Sequence, residues 1–120
     1  IVVLVIGISS IPMWTSKMAE EAFNKPDKPL SPEAIKKAIK AEMYIYLFEE
    51  ARLTAEKAII YFPESQDLHF FIYNAAICAT KTGNNDAALY WYNKFLEKYP
   101  KHEWANQAER ARDTIANLNK

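Results

Sequence analysis

Apolar positions recur with a helical period over most of this chain. From Ala34 they step by four and three through Ala38, Ala41, Ile45 and Phe48. A second stripe runs through Tyr44, Leu47, Ala51, Ala55, Ala58 and Phe62. Such steps stack side chains on one face of an α-helix. Ser31 is placed to cap this helix, with Pro32 at its first position and Glu33 in its first turn. No Gly or Pro interrupts the pattern before Pro63. It therefore predicts either one helix far longer than the usual ~11–12 residues or two helices with a quiet junction. The unbroken pattern favours the single helix.

"PESQD", residues 63–67, reads as a turn. A further helix is expected from Leu68 to Thr82, ended by Gly83 where a helix prefers a left-handed residue. Asn85 is placed as the N-cap of the next, which runs to Tyr99 before Pro100. The last spans about Glu103 to Leu118, with its apolar stripe on Trp104, Ala108, Ala111, Ile115 and Leu118. Its other face carries Glu109, Arg110, Arg112, Asp113 and Asn117, a polar exterior suited to the end of a helical array. The class is all-α.

The opening "IVVLVIGISSIPMW" breaks with this pattern. It is uncharged and ends in Trp14, shortly before Lys17. Apolar residues followed by Trp and Lys suit a membrane–water interface. Residues 1–24 are read as a transmembrane and juxtamembrane helix, with Ile1, Leu4, Ile8 and Trp14 facing lipid. The alternative is a buried strand or core helix, since spanning ~30 Å of hydrocarbon takes ~20 helical residues. Residues 25–32 hold three prolines and form a linker, because proline removes a donor and restricts its neighbour. Residues 33–120 are the helical domain.

Composition narrows the function classes. The 120 residues include 15 basic and 15 acidic side chains, against the basic surface that nucleic-acid binding uses. Two glycines leave no room for a Gly-rich phosphate loop. The single thiol, Cys78, cannot form an internal disulfide, and a small buried hydrophobe is its expected role. Glu49 and Glu50 are adjacent, as are Glu20 and Glu21, so neither pair shares a helix face for acid–base work. His69 and His102 have no further ligand at metal-binding spacing, and surface roles are expected for both. No catalytic residue, cofactor or metal site is read from the chain.

The aromatic-rich "KTGNNDAALYWYNKFLEKYPKH", residues 81–102, carries a repeat signal. Ala88, Tyr92 and Pro100 are spaced four and eight apart, and Ala51, Ala55 and Pro63 repeat that spacing. The second half of the tetratricopeptide repeat has this "A…F…P" spacing. Ile72, Ala75, Ala76 and Ala79 fall on the first-half positions, where Ala76 stands for Gly, and Gly83 lies in the turn. The chain thus resembles a short tetratricopeptide-type array. "FLEKYPKHEWANQAERA" is similar to envelope members of that superfamily, such as the Tol-Pal coordinator and outer-membrane assembly lipoproteins.

The resemblance implies helical hairpins that bury their apolar faces only against neighbours. Ala51, Ala55, Pro63, Ala76, Gly83, Ala88, Tyr92, Phe95 and Pro100 then hold the repeat together. Tyr90 and Trp91 cannot face the same interior as Tyr92 and Phe95. The resemblance also implies a concave partner face on Phe70, Tyr73, Asn74, Ile77 and Lys81. The competing reading packs Phe70, Tyr73 and Ile77 against the preceding helix and leaves Lys81 solvated.

The expected function is a non-enzymatic protein–protein interaction scaffold. It would be an accessory subunit of a larger respiratory, photosynthetic or secretion complex. Its partners are other subunits and, through residues 1–14, membrane lipid; no nucleic acid or small-molecule substrate is expected. The alternative is a membrane-anchored, chaperone-like adaptor. The resemblance implies a bacterial inner membrane, with the helical domain on the periplasmic side.

Overall fold

The computed structural model describes residues 31–118. Among them every regular element is an α-helix: α1 Ser31–Tyr44, α2 Phe48–Tyr61, α3 Leu68–Lys81, α4 Asn85–Lys98 and α5 Ala105–Leu118. The expected membrane segment, with Ile1, Leu4, Ile8 and Trp14, and most of the linker lie outside the described residues. Within them, no helix is long and apolar enough to cross a membrane.

The helices recur with a fixed period. Those starting at Ser31, Leu68 and Ala105 are each offset by 37 residues, as are those starting at Phe48 and Asn85. Short connections make successive helices pack side by side, and each helix packs on the next: α1 on α2, α2 on α3, α3 on α4, α4 on α5. The described residues form a hairpin, a second hairpin in the same pattern, and a fifth helix.

The expectation of one long helix before Pro63 is corrected by a reversal at residues 45–47. Tyr46 has φ 64°. Its N–H donates to the Met43 carbonyl (3.1 Å), and the Leu47 N–H donates to Glu42 (2.8 Å). This pair of bonds is the Schellman ending of a helix. The second hairpin turns the same way 37 residues on. Gly83 has φ 75°, its N–H donates to Thr80 (3.1 Å), and the Asn84 N–H donates to Ala79 (2.9 Å). Gly is at ease there, whereas a bulky L-residue costs about 1–2 kcal/mol. The sequence hides the first break because a tyrosine stands where glycine would announce it. Tyr44, read as part of the apolar stripe, is 86% exposed beside it.

The helix start at the second turn also shifts by one residue. Asn84, not Asn85, is the N-cap, and its side chain accepts from the Ala87 N–H at 3.2 Å. Leu47, its counterpart, makes no side-chain cap bond.

Two cores meet at α3. One joins Ile35, Ala38 and Ile39 of α1 with Ala51, Ala55 and Ala58 of α2, against Phe70, Phe71, Ala75 and Cys78 of α3. The other joins Leu68, Ile72, Ala76 and Ala79 of α3 with Ala88, Tyr92 and Phe95 of α4, and Ala108 and Ile115 of α5. Fully buried alanines at Ala51, Ala55, Ala75, Ala76 and Ala88 let the backbones approach closely. The repeat changes its chemistry in α5. Ile72 and Ala76 of α3 become Glu109 and Asp113 in α5, both exposed.

The two turns give a paired prediction. Tyr46→Gly raises stability by about 0.5–1 kcal/mol, since only an edge contact with Phe48 is lost. Gly83→Ala lowers it by about 1 kcal/mol. Open space surrounds a Cβ at Gly83, so that cost is conformational alone. Urea midpoints at unchanged slope check both.

Candidate functional site

The expected partner face on α3 divides. Phe70 and Asn74 are buried. Phe70 lies in the first core, with the Lys36 and Lys40 ammonium groups 5.1 and 5.7 Å from its ring. The Asn74 amide nitrogen donates to the Phe70 carbonyl one turn back at 2.9 Å. Tyr73 and Ile77 are half-buried, and Lys81 is exposed. Tyr73 packs on Tyr92, Phe95 and Trp104, and its hydroxyl donates to Gln107 Oε1 at 3.0 Å. Burial raises its phenol pKa. The residues accessible on this face are thus Tyr73, Ile77 and Lys81.

The repeat-structural residues sit where helices meet. Ala51, Ala55, Ala76, Ala88, Tyr92 and Phe95 are buried. Pro63 and Pro100 are exposed, each one residue after the last carbonyl-bonded N–H of its hairpin, at Phe62 and Tyr99.

The aromatic run of α4 is now accounted for. Trp91 donates its indole N–H to Glu56 Oε2 at 2.8 Å, across to α2. Glu56 also accepts from Arg52 Nη1 at 2.9 Å, and Arg52 reaches Glu49 as well. The bonds to Glu49, opposed by burial, hold the guanidinium pKa above its ordinary value. Such charge-assisted bonds fix the first hairpin against the second more firmly than neutral ones. Tyr90 stays about half-exposed and meets Trp91 edge-on at 4.8 Å.

Among the described residues, two apolar surfaces stand open. The first is the turn between α1 and α2, where Tyr44 and Tyr46 are 86% and 81% exposed. Ile45, Leu47 and Phe48 beside them are half-buried. The second is a groove of about 660 Å³ between α2 and α4, with Ile59, Leu68, Ile72 and Trp91 among its lining and Ile60 and Tyr90 at its sides. Lys94, Lys98, Glu64 and Glu97 give it a rim of balanced charge.

The expectation of two solitary surface histidines is corrected. The His69 and His102 rings lie 5.1 Å apart, and both are half-buried among Tyr99 and Trp104. Helical spacing could not reveal a pair made by folding α3 against the α4–α5 turn. Burial, then the neighbouring His102, lowers the His69 pKa. Among the described residues, no three His, Cys, Asp or Glu side chains gather where they could hold a metal ion. Glu42 is fully buried near Cys78.

No family model, no curated protein and no solved structure matches the chain.

Cys78 is fully buried, and burial with the charge of Glu42 pushes its thiol up to about 12. Reactivity belongs to the thiolate. In the folded protein Cys78 is expected to resist a disulfide reagent at mildly alkaline pH, and to react only after denaturant is added. A colorimetric thiol assay with and without urea checks this.

Proposed function

We infer that this chain is a non-enzymatic scaffold of tetratricopeptide type, an accessory subunit that ties other proteins into a larger membrane complex. The observation that carries the reading is the contrast between its two hairpin turns. The backbone path is the same, but the chemistry is opposite. The second turn presents Lys81, Thr82, Gly83 and Asn84, all exposed and polar or small. At the equivalent positions the first presents Tyr44, Ile45, Tyr46 and Leu47. The first turn thereby forgoes a relaxed glycine and a side-chain N-cap, each worth about 1 kcal/mol. Among the described residues the two tyrosines stay 86% and 81% exposed, with Tyr46 meeting Phe48 edge-on. Strained, locally unfavourable positions are retained at functional sites, and exposed aromatic clusters are the anchors of protein interfaces.

In this reading the repeat domain holds a soluble partner through the Tyr44–Tyr46 tip, with Tyr73, Ile77 and Lys81 as a further surface. Residues 1–14 supply the membrane tether, and the resemblance to envelope proteins puts the domain on the periplasmic side of a bacterial inner membrane. The open apolar groove favours one other reading, an adaptor that captures client segments transiently. A scaffold keeps its partners at fixed ratio through mild-detergent purification, and an adaptor yields a variable mixture.

The double variant Tyr44→Ser, Tyr46→Gly tests the contact. Recovery of co-purified partners is expected to fall roughly tenfold or more, as for loss of interface anchors, while helicity stays the same. Recovery equal to that of the unaltered chain would place the contact elsewhere.

A further inference from the structure

We propose that the His69–His102 contact is an acid-sensitive latch that seats α5 against α3 and α4. The geometry begins in the turn that leads into α5. The His102 N–H donates to the Tyr99 carbonyl at 3.1 Å, and the His102 carbonyl accepts from the Ala105 N–H at 2.9 Å. The His102 side chain completes the turn: its Nδ1 accepts from the Trp104 N–H at 3.0 Å. A backbone N–H can only donate, so Nδ1 is bare and the ring proton is on Nε2. A second proton on this imidazole must take the nitrogen that holds Trp104.

Trp104 is the piece being held. Its ring packs on His69, His102, Tyr73 and Phe95, with centroids 5.5, 4.9, 5.0 and 6.4 Å away. It stands one residue before α5 and joins both cores. Losing the bond to His102 loosens the residue that docks the helix.

The neighbouring imidazole sharpens the response. With the rings 5.1 Å apart and tilted by 34°, two imidazolium ions would repel at short range. The charges facing the pair do not neutralise that repulsion. Asp67, just before α3, favours a cation on His69, but it is bonded to Lys36 of α1 at 3.3 Å, and Lys36 opposes it. Lys98 ends α4, Lys101 and Glu103 flank His102 in sequence, and the first turn of α5 has no acid. Tyr99 is neutral, its phenol pKa raised by burial.

The sign follows from His69, whose folded pKa lies below its ordinary value. The unfolded chain binds the proton more readily, so the stability contribution is whole above about pH 6.5 and is lost as pH falls through the folded value. Acid opens the C-terminal edge of the array and uncovers the α4 face around Phe95.

Amide hydrogen exchange on the full chain in mild detergent tests the latch, comparing about pH 7.5 with about pH 5. Exchange in α5 is read relative to α2, which cancels the intrinsic pH effect. The relative exchange of α5 is expected to rise roughly 5–10-fold in acid, the scale of one lost hydrogen bond. His102→Asn keeps an acceptor for an N–H two residues on and removes the imidazole whose second proton would take the place of the Trp104 bond, so its response should shrink. His69→Phe keeps a ring against Trp104 and removes the second charge, so its response should shrink. An α5-to-α2 ratio that ignores pH overturns the latch. So does an acid response undiminished in His102→Asn or His69→Phe.

Discussion

The structure depends on α3 being buried on two sides at once. One side sends Phe71, Ala75 and Cys78 into the first hairpin; the other sends Ile72, Ala76 and Ala79 into the second. A helix apolar on so much of its circumference cannot be stable alone in water, and it gains its free energy only when both neighbours are in place. The period of 37 residues follows. Each hairpin must deliver a helix of the same length to the same groove, and the five described helices are all 14 residues long. Alanine on the facing surfaces sets how close they come. Trp91, bonded to Glu56 across the junction, fixes the angle with a directed bond.

Repetition makes the molecule its own control. Positions that keep their chemistry across the repeat, such as Ile35 and Ile72, or Ala38 and Ala75, hold the frame, and all four are buried. Positions that change show what each copy does differently. Glu109 and Asp113 replace Ile72 and Ala76 and make that face of α5 polar. Tyr46 replaces Gly83 and turns a quiet reversal into an exposed aromatic point. His102 replaces Ser65, which accepts from the Asp67 N–H in the α2–α3 connection as His102 accepts from the Trp104 N–H, so the second copy puts an imidazole where the first has a hydroxyl. The positions that differ between copies are thus variations on a frame that tolerates them.

Much of the frame was legible in the sequence. Helical periodicity, the prolines at Pro63 and Pro100, and Gly83 place the last three helices to within one or two residues, because each signal is local. The break after Tyr44 was not legible, since the left-handed residue there is tyrosine and the apolar period runs through it. Asn84 and Asn85 are equally good caps by type, and only the path of the turn chooses between them. The partner face was legible in part. Periodicity identifies a shared face of α3 but cannot tell that α1 covers Phe70 with two lysines, or that Asn74 bonds back to its own helix. The histidine pair and the Trp91–Glu56 bond join residues more than thirty positions apart, beyond any spacing rule within one helix.

The proposed scaffold role requires the first hairpin tip to be a contact surface. Hydroxyl-radical footprinting of Tyr44 and Tyr46 in native membranes, set against the purified chain, addresses this most directly, with exposed Tyr61 as reference. The scaffold role predicts that both tip tyrosines are strongly labelled in the purified chain and protected several-fold in the membrane preparation relative to Tyr61. Equal labelling in the two settings would contradict it, leaving the strained tyrosine turn without a partner to explain it.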